Sequence, residues 1–297
     1  MSLELWIPIT IAAAFMQNLR SMLQRHLKGS LSTMGATVSR FLFAAPLAIA
    51  FVIVNTWFLG GTVPGVTPEF LIFAVTGGVA QIVATALLVH LFGLRNFAVG
   101  TTFSKTETVQ TALFGLVFLG DRLSVMATAG IVVSLAGILL ISGRMARGRE
   151  IFSRAALVGL ASGASFGVAA VSYRGAALAL AGGDFISRAT VTLAVVIVFQ
   201  TIVSVIWLRL REPGQVTAML RSWRVSLWVG VTGGAASLGW FSAMTIQNAA
   251  YVRALGQTEL VFTLVASWLF FGERSTRSEL LGILLVTAGI LVLLTGR

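Results

Sequence analysis

Residues 106–122 read TETVQTALFGLVFLGDR, and residues 258–274 read TELVFTLVASWLFFGER. Thr106-Glu107 and Thr258-Glu259 open the two stretches. Phe118-Leu119-Gly120-Asp121-Arg122 and Phe270-Phe271-Gly272-Glu273-Arg274 close them, at a common offset of 152 residues (106 to 258, 118 to 270). Two further pairs keep the same order: Ser39-Arg40 with Ser187-Arg188, and Thr76-Gly77-Gly78 with Thr232-Gly233-Gly234. Ordered self-similarity at long spacing marks an internal duplication.

Outward from these stretches the chain is a series of apolar runs. Of its 297 residues 57% are hydrophobic and only 10% charged, with a mean hydropathy of +0.94. A soluble domain carries about 25% charged residues, so this chain lacks the polar surface that water requires, and lipid is the remaining solvent. Lipid offers the backbone no hydrogen bonds, which leaves helices or closed barrels. The runs approach the roughly 20 continuous apolar residues of a spanning helix, not the alternation of a barrel strand. They fall near 5–26, 33–59, 70–94, 97–119, 123–143, 155–180, 185–208, 225–247, 250–271 and 278–295. The reading is an all-α membrane protein with ten transmembrane helices in two units, residues 1–146 and 151–297, joined by the basic break Arg144 to Glu150. Five spans per unit is an odd number, so the second enters from the opposite side. That makes an inverted repeat with a site between the halves.

Basic residues sort the two faces. Arg25, Lys28, Arg95, Arg144, Arg147, Arg149, Arg154, Arg209, Arg211, Arg221, Arg224, Arg274 and Arg277 fall on one side; Arg122, Arg188 and Arg297 fall on the other. The positive-inside rule makes the rich side cytoplasmic and both termini periplasmic, in a multi-pass inner-membrane protein. The net charge of +11 is thus a topology signal, and no nucleic acid is expected as a partner. The first run has no basic n-region and reads as a retained span. With no cysteine and only His26 and His90, no metal, cofactor or thiol nucleophile is expected. The partners are a small solute and the bilayer, with the oligomeric state left open.

The doubled endings, Phe-Leu-Gly-Asp-Arg then Gly130 to Gly137 and Phe-Phe-Gly-Glu-Arg then Gly282 to Gly289, resemble the EamA-type members of the drug/metabolite transporter superfamily. The resemblance covers essentially the whole chain in both copies. It implies ten helices, inverted five-helix repeats, and export or exchange of small metabolites, often amino acids.

Ionisable groups at membrane depth are costly and usually face a cavity or a partner. Lys105 and Glu107 lie in the fourth run, Arg253 and Glu259 in the ninth. Residues four apart share a helix face, so Thr101 with Lys105, and Arg253 with Gln257, occupy equivalent faces of the two copies. These faces differ between the halves, as an asymmetric ligand requires, and Lys105 and Arg253 are expected to line the cavity. The competing reading for Arg253 is snorkelling from a helix end. Gln17, Asn18, Gln81 and Trp240 lie at similar depth and join the substrate candidates, although each could equally serve in helix packing. Glu107 and Glu259 are identical in both copies, which suits a repeated structural role. Depth along the helices suggests ion pairs Arg40–Glu107 and Arg188–Glu259, with proton coupling through either acid as the alternative. Gly163-Ala164-Ser165-Phe166-Gly167 fits a hydrolase pattern, but it lies inside an apolar helix and reads as a packing face.

The sequence therefore points to a secondary transporter, not an enzyme, that exports or exchanges an amino acid or related carboxylate-bearing solute by alternating access. No phosphate-binding loop is present to power it. The rival readings are a proton-coupled efflux protein for cationic or drug-like amines, a solute channel, and a membrane-embedded enzyme.

Overall fold

The computed structural model describes residues 4–91, 94, 103–142, 153–262 and 277–295. Among them the chain is helical: α1 Trp6–Leu27, α2 Thr33–Phe58, α3 Pro68–Leu91, α4 Glu107–Leu119, α5 Val125–Ser142, α6 Arg154–Ala179, α7 Phe185–Arg211, α8 Gln215–Arg221, α9 Trp223–Ile246, α10 Ala249–Gly256 and α11 Arg277–Thr295. Four of these, α2, α3, α6 and α7, are long and apolar enough to cross a membrane. Helices α1 and α9 have the length, 22 and 24 residues, but α1 carries Arg20 and Arg25 and α9 is rich in glycine, serine and threonine. Helices α4, α5 and α11 are apolar and shorter. The short α8 was not foreseen. It follows Gly214, whose φ of +94° is open to glycine at little cost.

Burial follows the lipid logic. On α3 the residues Leu71, Val75, Val79 and Val83 form an exposed stripe four residues apart, while Phe70, Ala74, Gly77, Gln81 and Thr85 are buried. Exposed apolar surface on this scale needs a non-aqueous neighbour. Polar N-caps start the helices: Ser32 accepts from Gly35 N–H, Ser153 from Ala156, Asp184 from Ser187, and Asn248 from Ala250.

Glycines set the tightest helix pairs. Helices α5 and α11 run antiparallel, and a Cβ on Gly130 or Gly137 would lie 2.6 Å from the carbonyl oxygen of Gly289 or Gly282. Ser134 donates to the Val286 carbonyl in the same seam, with 152 residues between them. Helices α3 and α6 pack through Gly77, where a Cβ would meet the Tyr173 ring at 2.7 Å. Helices α1 and α9 pack through Gly239 against Ala13, and α2 lies against α7 and α9.

These contacts correct one sequence match. The caps Ser32 and Asp184 are equivalent at the 152-residue offset, and their bonded partners Gly35 and Ser187 are therefore equivalent too. Phe199 covers Gly78 as Leu47 covers Gly234, the covering residues again 152 apart and the glycines 156. Ser39-Arg40 and Ser187-Arg188 thus differ by about one helical turn. Thr192, not Arg188, is the repeat equivalent of Arg40.

Candidate solute site

The helices that carry the charged residues are interrupted beside them. Residues 103–104 are helical, Lys105-Thr106 form a turn, and α4 begins at Glu107. In the other copy α10 ends at Gly256, Gln257 forms the turn, and residues 258–262 are helical again. Lys105 and Gln257 are equivalent positions, so both copies break at the same place. A break at membrane depth frees backbone groups and is tolerated where protein or a cavity surrounds it. The expected face shared by Thr101 and Lys105 lies partly outside the described residues, which resume at Phe103.

At these breaks the two copies exchange charges. Lys105 pairs with Glu259, and Arg253 Nη1 lies 3.1 Å from Glu107 Oε1. The proposed pairs Arg40–Glu107 and Arg188–Glu259 do not form. The Arg40 guanidinium donates instead to the hydroxyls of Thr85 and Ser237, both at 3.2 Å. Arg188 Nε donates to the Gly182 and Gly183 carbonyls at the start of α7. Similar depth did not bring these groups together, because α2 packs on α7 and α9 whereas α4 packs on α6 and α10.

Further polar groups hold the crossed pairs. Gln17 Nε2 donates to Glu259 Oε2 at 2.9 Å, and Trp240 Nε1 donates to Gln17 Oε1 at 3.0 Å. Asn18 donates to the Glu259 carbonyl at 3.2 Å, and Gln257 to Thr108 Oγ1 at 2.9 Å. The Arg253 guanidinium lies 4.8 Å above the Trp240 ring, within cation–π range. Gly256 lets the indole approach, since a Cβ there would sit 2.4 Å from Trp240 Cη2. Arg253 is only 6% exposed, which excludes snorkelling to the headgroups. Gln81 is set apart from this cluster. Its Oε1 lies 2.9 Å from both the Tyr173 hydroxyl and Gln200 Nε2, in the packing of α3, α6 and α7.

A cavity of about 140 Å³ lies against the crossed pairs, bounded by Gln17, Arg20, Lys105, Glu107, Arg253 and Glu259, with Phe166 on one wall. The sequence reading missed Arg20, which stands three residues after Gln17 and is 2% exposed. An arginine inside an apolar run was the available signal. The same signal marks Arg174 on α6, which donates to Asp121 Oδ2 at 3.0 Å and to the Met244 and Gln247 carbonyls at 2.9 and 2.8 Å. This cluster ties the ends of α4, α6 and α9 together about two turns along α6 from Phe166. Gly163 and Gly167 of the hydrolase-like stretch pack on Ser104, Thr111 and Phe114, and Ser165 Oγ donates to the Ala161 carbonyl within its own helix.

The EamA-like transporter family model matches residues 4–143 and again residues 153–295. Among solved structures 29 chains match. One crystal structure aligns over 98% of this chain and 97% of its own, at 17% identity and a TM-score of 0.73. At that identity the likeness shows the fold alone. No curated relative matches the sequence.

Proposed function

Because the chain belongs to the EamA-like transporter family, we propose that this integral membrane protein exports or exchanges a small organic metabolite as a secondary transporter. Amino acids and related carboxylate-bearing solutes are the proposed class. Its working units are the halves 1–146 and 151–297, each with five spans in inverted topology, set in the inner membrane with both termini outside.

The carrying observation is the exchange of charges at the two helix breaks. Glu107 of the first half is held by Arg253 of the second, and Glu259 of the second by Lys105 of the first. Discontinuous helices meeting at a repeat interface are where secondary transporters bind solute. The halves cannot move relative to one another without remaking these pairs, which couples the cavity to the conformation. The Asp121–Arg174 cluster ties the ends of α4, α6 and α9 together, and as a gate over one end of a path it would suit alternating access better than a channel. An amine exporter would need an acid open to its cargo, and both glutamates already carry cationic partners.

Purified protein in vesicles preloaded with unlabelled amino acids and small carboxylic acids tests this reading. Labelled solute should enter against its gradient by counterflow, and the rate should saturate. Flux that rises linearly with concentration and shows no counterflow would establish the channel instead.

A further inference from the structure

We infer that Arg20, rather than Lys105 or Arg253, holds the anionic group of the solute; the inference rests on the transporter reading above. Three cations and two anions bound the cavity: Arg20, Lys105 and Arg253 against Glu107 and Glu259. The crossed pairs match Lys105 with Glu259 and Arg253 with Glu107, and Arg20 is the cation left over among the described lining residues.

The surroundings of Arg20 bear this out. A guanidinium carries five N–H donors, yet among the described residues Nε of Arg20 has no hydrogen-bond partner and Nη2 donates to the neighbouring Ser21 hydroxyl at 3.3 Å. Behind it stands Arg40, also buried and held by hydroxyls rather than by an acid. Gly233 lets the two stems pass, since a Cβ there would meet Arg40 Cγ at 3.2 Å and Arg20 Cδ at 3.3 Å. A positive charge removed from water without a counter-charge costs several kcal/mol. A chain that keeps one at the cavity wall is built to receive the counter-charge from elsewhere. The fork of a guanidinium matches the two oxygens of a carboxylate through parallel hydrogen bonds, which an ammonium cannot do. With a volume of about 140 Å³ the cavity suits a compact acid.

The test uses matched acids and primary amides: pyruvate and pyruvamide, succinate and succinamide, L-alanine and L-alaninamide. Binding is read from tryptophan fluorescence in nanodiscs of neutral phosphatidylcholine, where no anionic headgroup can supply the charge. Wild-type protein should bind at least one acid in preference to its amide. Arg20→Gln should weaken that acid by roughly ten- to a hundredfold, the worth of a charge-assisted hydrogen bond, and leave the amide unchanged. Arg20→Lys keeps the charge but not the fork and should fall between; it decides the matter if Arg20→Gln does not fold. Acid affinity unchanged in Arg20→Lys, acid preference retained in Arg20→Gln, or a wild-type preference for amides would each overturn the assignment. Saturable counterflow alongside any of those outcomes would leave the transporter reading standing, whereas its absence for every compound would remove that reading first.

Discussion

Removing the charge of Glu107 strands Arg253, which is 6% exposed and has no other carboxylate within ion-pair distance among the described residues. Breaking a buried pair from one side typically costs about 3–5 kcal/mol, because the remaining charge stays desolvated. Glu107→Gln should therefore lower the melting temperature in detergent sharply, and adding Arg253→Gln should restore much of the loss. A double variant no more stable than Glu107→Gln would show that Arg253 acts through Trp240 and packing, not through the pair. That these four charged residues would meet partners or a cavity was legible in the sequence, since charge at membrane depth is costly. Their pairing was not. Depth along a helix follows from counting residues, but the direction a side chain faces depends on which helices pack together. Arg40 and Glu107 are near in depth, yet they sit on helices that pack on different neighbours.

At the level of elements, the seam between α5 and α11 is set by backbone-to-backbone approach. A side chain at Gly130 would start 2.6 Å from the Gly289 carbonyl and 2.7 Å from the Leu293 nitrogen. Backbone cannot retreat as a side chain can, so Gly130→Val should force the helices apart and reduce both melting temperature and the yield of folded protein. Gly29→Ala is the control, since its added carbon meets only the His26 carbonyl at 3.4 Å. Equal behaviour of the two variants would show that the seam is looser than its geometry. The glycines at 130, 137, 282 and 289 were visible as a doubled motif, but their meeting across an antiparallel crossing was not. The breaks at Lys105-Thr106 and Gln257 were also hidden. No proline stands at either turn, a single glycine such as Gly256 is tolerated inside a helix, and an unbroken apolar run reads as one helix.

At the scale of the whole molecule, the natural absence of cysteine makes accessibility directly measurable. The proposed orientation, with both termini periplasmic, predicts that Thr62→Cys reacts with an impermeant maleimide in cells whose outer membrane is permeabilised, and Ser30→Cys only after the inner membrane is lysed. The reverse pattern would invert the orientation. In the same assay Ser21→Cys, beside the cavity, should label slowly from the side of the termini while Arg174 holds Asp121, Met244 and Gln247. Adding Arg174→Gln should speed that labelling severalfold, and an unchanged rate would show that the cluster closes nothing. Composition determined that lipid is the solvent, because 10% charged residues cannot cover a water-facing surface, and the long continuous apolar runs determined that the chain crosses it as helices. The duplication and its 152-residue offset were equally readable, since a copied segment keeps its order whatever it packs against. Which charge meets which, where α4 and α10 break, and that Arg20 is the cation left without an acid at the cavity wall among the described residues were decided only by the tertiary structure. Those are relations between helices, and a one-dimensional pattern carries depth and period but not the azimuth at which one helix faces another.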